Sequence, residues 1–319
     1  MRAADQLPFR AIRPHHLFAP EYPTAMQARI DQLLELLDLE PLDTHLFRGV
    51  SPAGERNRVF GGQVLGQALV AAGRTVDERL LHSMHAYFLR PSDPKRPILY
   101  EVERSRDGGS FTSRRVVAIQ QGKPIFNLSA SFQRAEPGLD HQAQMVETAP
   151  PELFVTEEEQ LALLYQQDPQ NYRHPDYFQW PIEFRHVDHS NSRRHEAHPP
   201  QHRVWMRAVA PLPDALILHQ CILAYASDRG LLGTALLPHA ISIDNPRLQA
   251  ASLDHAMWFH RPFRADEWLL YVQESPSASN GRGFCLGHIY RSDGVLVAST
   301  AQEGLIRHHP DPDQPRRSP

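Results

Sequence analysis

Three polar side chains in the second half of the chain have types that can work together: Asp228, Ser252 and Gln302. A carboxylate accepts protons, while a hydroxyl and a primary amide can hold a water by hydrogen bonds. Asp228 closes the stretch 214–228, which is apolar on most sides, so it falls at the edge of a buried helix. If Arg229-Gly230 ends that helix, the carboxylate lies at the negative end of the helix dipole. Burial and dipole then both oppose its charge and make it a better general base near neutral pH. The competing reading is an exposed helix end paired with Arg229. Taken singly, Ser252 reads as a strand-start cap and Gln302 as a satisfied amide at a strand end.

The elements that must position these residues come in two similar sets. The first begins with an amphipathic helix over 27–38 and a helix around Val64–Ala72, apolar nearly all round. Strands follow at His82–Leu89, Ile98–Arg104, Phe111–Gln120 and Ile125–Phe132, the last two joined by a turn at Gln121-Gly122. The second set has strands at Ile182–Val187 and Val204–Val209, then the helix Asp214–Asp228 with Asp214 as its N-cap. Its later strands are Ala256–Arg261, Trp268–Glu274, Gly283–Tyr290 and Val295–Gln302, with a turn at Arg291-Ser292-Asp293-Gly294. Tyr87-Phe88-Leu89-Arg90-Pro91 matches Trp258-Phe259-His260-Arg261-Pro262 at an offset of 171 positions, and the turn glycines Gly122 and Gly294 stand 172 apart. A shared motif in a shared order of elements argues for duplication. At these offsets Ser252 corresponds to Leu81 and Gln302 to Ala130, and the first buried helix contains no acid. One copy therefore holds polar groups that the other lacks.

The 319 residues divide into an N-terminal extension over 1–26, a first unit over 27–135, a linker over 136–180, a second unit over 181–308 and a tail over 309–319. A helix is expected within the linker near Thr156–Gln166, its Glu157-Glu158-Glu159 run facing solvent. Each unit is one buried helix wrapped by an antiparallel sheet, so the fold class is α+β. The net charge of −4 argues against nucleic acid as a partner. No apolar run reaches the length of a membrane span. With neither a signal-peptide h-region nor a Ser-Lys-Leu end, a cytoplasmic protein is expected. Cys221 and Cys285 sit in apolar surroundings and read as two buried thiols. There is no G-x-S-x-G elbow and no Walker A loop. Gly281-Arg282-Gly283 leads into a strand and reads as a bend. His186, His189, His195, His198 and His202 interleave with Pro, Ser and Arg and read as a polar loop, so neither a metal nor a cofactor is expected.

Longer motifs carry a family resemblance over roughly 28–308. They are Leu46-Phe47-Arg48-Gly49, Val59-Phe60-Gly61-Gly62-Gln63-Val64-Leu65-Gly66-Gln67-Ala68 and His82-Ser83-Met84-His85-Ala86-Tyr87-Phe88-Leu89-Arg90-Pro91. In the second half they are Tyr225-Ala226-Ser227-Asp228, Leu253-Asp254-His255-Ala256-Met257-Trp258-Phe259-His260-Arg261-Pro262-Phe263 and Val297-Ala298-Ser299-Thr300-Ala301-Gln302-Glu303-Gly304. With these the chain resembles the type II acyl-CoA thioesterases, the TesB and peroxisomal acyl-CoA thioesterase 8 family. The N-terminal extension and much of 136–201 match poorly.

The resemblance implies a double hotdog fold and an Asp–Ser/Thr–Gln triad that positions a water. By motif, the triad falls on Asp228, Ser252 and Gln302, with Ser where bacterial members carry Thr. It also implies a fatty acyl-CoA substrate, expected to be of medium to long chain, and assembly into a homodimer or homotetramer. Asp228 would take a proton from water as it attacks the thioester carbonyl, and a backbone N–H would stabilise the oxyanion. Arg90, Arg261, Arg282 and Lys123 are available to the CoA phosphates. Two rivals stand beside this expectation. One is a non-catalytic acyl-CoA sensor or scaffold. The other is a hotdog enoyl-CoA hydratase using Asp254-His255, although adjacent strand residues point to opposite faces.

Overall fold

The computed structural model describes residues 24–52, 58–169, 179–188 and 196–309. The expected extension up to residue 23 and the tail from 310 lie outside the described residues, as does 170–178 of the linker. Helix α1 (Thr24–Leu37) begins before the expected Gln27, because Ala25 and Met26 are strong helix formers. The short strands β1 (Glu40–Asp43) and β2 (Leu46–Gly49) follow. Helix α2 (Gly61–Gly73) buries every residue after its first. Strands β3 (Leu80–Phe88), β4 (Ile98–Asp107), β5 (Phe111–Gln120) and β6 (Lys123–Gln133) then run where the alternation placed them. The expected turn between β5 and β6 is a two-residue hairpin, with Gln121 and Gly122 both at positive φ.

Helix α3 (Glu157–Gln167) forms in the linker, started by a reciprocal capping box between Thr156 and Glu159. Strands β7 (Ile182–His186) and β8 (Gln201–Ala208) lead to helix α4 (Leu216–Ser227), of which the last ten residues are buried. Asp214 does not cap α4. Ala215 stands at the N-cap without a side-chain bond, and Asp214 is drawn out to Arg264 at 2.5 Å. After α4 a 3₁₀ segment, Leu231–His239, crosses the inner face of the sheet. The remaining strands are β9 (Leu248–Ser252), β10 (Asp254–Phe259), β11 (Leu269–Ser279), β12 (Arg282–Arg291) and β13 (Leu296–His308). The glycine-rich stretch after Asn280 is indeed a bend: Asn280 and Gly281, both at positive φ, close the β11–β12 hairpin.

All strands join one sheet in the order β1-β2-β4-β5-β6-β3-β10-β13-β12-β11-β8-β7, with β9 on β13. Read from its two ends the order is the same in both halves, so the repeat holds strand by strand. It also holds in register. Tyr100 pairs with Ala118 in β4–β5, and Tyr271 with Ile289 in β11–β12, each partner 171 positions on. The halves meet where β3 pairs antiparallel with β10, from Asp254 opposite Tyr87 to Trp258 opposite Ser83. Inside the curved sheet α2 and α4 pack against each other with the start of α2 at the end of α4. Gly62 makes this contact, since a Cβ there would stand 2.2 Å from the Tyr225 carbonyl oxygen. Among the described residues no helix is long and apolar enough to cross a membrane.

Candidate active site

Asp228, Ser252 and Gln302 come from three elements and meet. Asp228 is the C-cap of α4, one residue past the helix, and Gly230 follows at positive φ to turn the chain away. Ser252 is the last residue of β9, and Gln302 lies on the inner face of β13, fully buried. Gln302 Nε2 donates to Asp228 Oδ1 at 2.7 Å, and Ser252 Oγ donates to the same oxygen at 3.2 Å. Gln302 Nε2 also reaches Ser252 Oγ at 3.1 Å. Both polar partners therefore hold the carboxylate itself. Ser252 ends a strand, where a start cap was expected, and Asp228 is not the exposed ion pair of the competing reading. Arg229 turns instead to Glu157 at 2.6 Å and stacks on Trp180.

The second carboxylate oxygen faces the other half of the molecule. A Cβ on Gly61 would lie 2.6 Å from Asp228 Oδ2. Gly61 opens α2, and the first amides of a helix have no acceptor within it. The carboxylate is thus held at one oxygen by second-half residues and presented at the other to a helix N-terminus of the first half. Sequence reasoning missed Gly61, because nothing local to Phe60-Gly61-Gly62 reports a contact so far along the chain. The glycine pair at the head of an apolar helix was the available signal.

Among the described residues the first half has no matching site. Arg74 occupies the C-cap of α2 in the same conformation that Asp228 adopts on α4. Arg114 stands opposite Ala130 as Cys285 stands opposite Gln302. Arg114 is almost fully buried and spends its donors on Thr75, Asp107 and backbone carbonyls. A cation held this way fills the place without offering a base.

Other expected participants are engaged elsewhere. Asp254 accepts from the Glu303 backbone N–H at 2.6 Å, while His255 bonds Ser227 Oγ from the opposite face of β10. The pair a hydratase would use is therefore split. Arg90 donates to Pro124 O, Arg261 to Asp140 and Arg282 to Glu303. Cys221 and Cys285 are free, buried thiols, and burial pushes Cys285 up to about 11, so neither is a nucleophile near neutral pH. His186 and His202 meet at 2.9 Å, whereas His189 and His195 lie outside the described residues.

Residues 50–133 match the model of the acyl-CoA thioesterase N-terminal domain, and residues 172–305 match the acyl-CoA thioesterase model. Human acyl-coenzyme A thioesterase 8 is 45% identical over 285 residues, covering 86% of this chain and 88% of the relative. Acyl-CoA thioesterase 2 of Haemophilus influenzae is 40% identical, covering 87% of this chain and 98% of its own. Among solved structures, the acyl-CoA thioesterase II TesB2 of Mycobacterium marinum superposes with a TM-score of 0.71 at 44% identity, covering 86% of this chain and 98% of that one. A hot dog fold protein of Alicyclobacillus acidocaldarius, 20% identical, superposes with a TM-score of 0.69 over 86% of this chain and 97% of its own, a likeness of fold. Two helix-in-sheet halves sharing one sheet, and identity of this extent across both, place the chain in the type II acyl-CoA thioesterase family, with a double hotdog fold.

Proposed function

We propose that this protein hydrolyses fatty acyl-CoA thioesters, of medium to long chain, by direct attack of water. Asp228 takes one proton from the water as its oxygen bonds to the thioester carbonyl carbon. The carbonyl becomes an oxyanion, which the Gly61 and Gly62 amides at the head of α2 receive, the Gln63 amide being held by Phe60 O. When the intermediate collapses the carbon–sulfur bond breaks. The sulfur leaves with the bonding electrons and takes the proton from Asp228, giving free CoA and a fatty acid. Ser252 and Gln302 position the water through the carboxylate, so that little orientational freedom is left to lose in the transition state.

The observation that carries this reading is the unequal treatment of the two Asp228 oxygens. Oδ1 takes two hydrogen bonds, and Oδ2 is set against Gly61 at the head of α2. A base beside a cluster of backbone N–H groups is the pairing that acyl transfer to water requires. The test is release of free thiol from acyl-CoAs ranging from acetyl to palmitoyl, read with a thiol-reactive dye. Wild-type protein is expected to turn over, and Asp228→Asn to lose roughly 100-fold or more in kcat while still binding substrate. Binding by calorimetry with no release at any chain length would replace this reading with an acyl-CoA sensor.

A further inference from the structure

A second polar cluster stands on the same elements as the triad, and the proposed chemistry uses none of it. Ser227 immediately precedes Asp228 and is fully buried. Its hydroxyl donates to the Ala224 carbonyl at 3.0 Å. A hydroxyl has one hydrogen, so at its other contact, 3.0 Å from His255 Nε2, it accepts. That assigns the Nε2–H tautomer to His255. Tyr271 OH donates to the Ser227 carbonyl at 3.3 Å and accepts from Thr300 Oγ1 at 2.8 Å. Burial pushes the Tyr271 hydroxyl far up, so it stays protonated. The end of α4, on which Asp228 sits, is thus tied to β10 through His255 and to β13 through Tyr271 and Thr300.

His255 touches the triad in a second way. β10 and β13 pair Ala256 with Ala301 and Met257 with Thr300, so His255 and Gln302, the next residues along, lie on the Met257–Thr300 face just past the end of this ladder. Both are fully buried. Each also has one acceptor atom, Nδ1 of His255 and Oε1 of Gln302, buried without a partner. Same-face neighbours on paired strands have Cβ atoms about 5–8 Å apart, a span that one water can bridge. The Gln302 amide cannot turn over to help, because its nitrogen is needed at Asp228. Burial holds His255 below the usual imidazole range, against the pull of the Asp228 carboxylate, which keeps Nδ1 an acceptor at neutral pH.

We propose that His255 is a positioning residue for the hydrolysis, fixing the Asp228 backbone through Ser227 and fixing the Gln302 amide through one buried water. That water gives one hydrogen to His255 Nδ1 and the other to Gln302 Oε1. A site with two polar partners on facing strands is the kind that holds a buried water. The proposal rests on the hydrolase reading of the same site.

The experiment compares kcat, KM and thermal midpoint for wild type, Asp228→Asn, His255→Leu, His255→Gln and His255→Asn on the acyl-CoA that wild type turns over fastest. His255→Leu is expected to lose about 10- to 100-fold in kcat with KM nearly unchanged, the size expected when a reacting group is misplaced. His255→Gln carries an amide nitrogen to the place of Nε2 and recovers most of the rate, whereas His255→Asn is too short and does not. A folded His255→Leu with wild-type kcat overturns the proposal. If His255→Leu does not fold, equal rates for the Gln and Asn variants overturn it instead. An Asp228→Asn protein with unchanged rate overturns Asp228 as the base and this proposal with it, whereas no thiol release from wild type overturns the hydrolase reading itself. Loss in Asp228→Asn without loss in His255→Leu overturns this proposal alone.

Discussion

At the scale of single residues, the site depends on a carboxylate whose two oxygens meet different halves of the chain. Two neighbouring glycines separate chemistry from packing. A methyl group on Gly61 meets Asp228 Oδ2 at 2.6 Å, and the side chain can swing away only by leaving Ser252 and Gln302. A methyl group on Gly62 meets the Tyr225 backbone oxygen at 2.2 Å, and the two helices must part to admit it. Gly61→Ala is therefore expected to lower kcat by about 10- to 100-fold with a small change in melting temperature. Gly62→Ala is expected to cost about 1–3 kcal/mol of stability, as overpacking does. Melting curves and steady-state rates on the two variants check both. Asp228, Ser252 and Gln302 were legible in the sequence because the other half offers no carboxylate, Leu81 and Ala130 in their place. Gly61 was not legible, because its part is defined by a contact with a distant segment. Asp214 was misread for a similar reason. A capping residue and an ion-pair residue look alike until Arg264 is seen beside it.

At the scale of elements, helix α3 departs most from expectation. Its acidic run was read as a solvated face, yet only part of it is. Glu157 turns inward to Arg229 and His186, Glu158 pairs with Arg29 at 2.6 Å, and Glu159 closes the capping box. Burial works against the Glu157 charge, but Arg229 and His186 outweigh it and hold the carboxyl down at about 2. A carboxyl depressed in the folded state stabilises the fold above its ordinary range, and that contribution fades as pH falls from about 4.5 towards 2. Glu157→Gln is expected to lose about 3 kcal/mol at pH 7, where Arg229 is left without its counter-ion. It should then change less than wild type between pH 4.5 and 2, as urea unfolding at a series of pH values would show. The two apolar helices and the long alternating strands were readable from periodicity alone. Strands β1, β2 and β9, four or five residues each, were not. They bury little of their own and exist by pairing with partners far along the chain.

At the scale of the whole molecule, the duplication has not produced two independent domains. One sheet runs through both halves, and α2 and α4 are packed core to core. Met84 and Met257, both fully buried, face each other across the β3–β10 seam. Calorimetry is therefore expected to show one unfolding transition whose van't Hoff and calorimetric enthalpies agree, and two separated transitions would contradict a shared core. The same seam bears on how the protein is made. Strand β3 leaves the ribosome early, paired on one side by β6 and open on the other. Its second partner, β10, is synthesised about 165 residues later, which at about 5–20 residues per second is a wait of roughly 8–35 s. For that interval the nascent first half presents a bare strand edge, the surface on which chains aggregate. The burden on chaperones thus falls on the half without Asp228, Ser252 and Gln302, and a slower second half lengthens it.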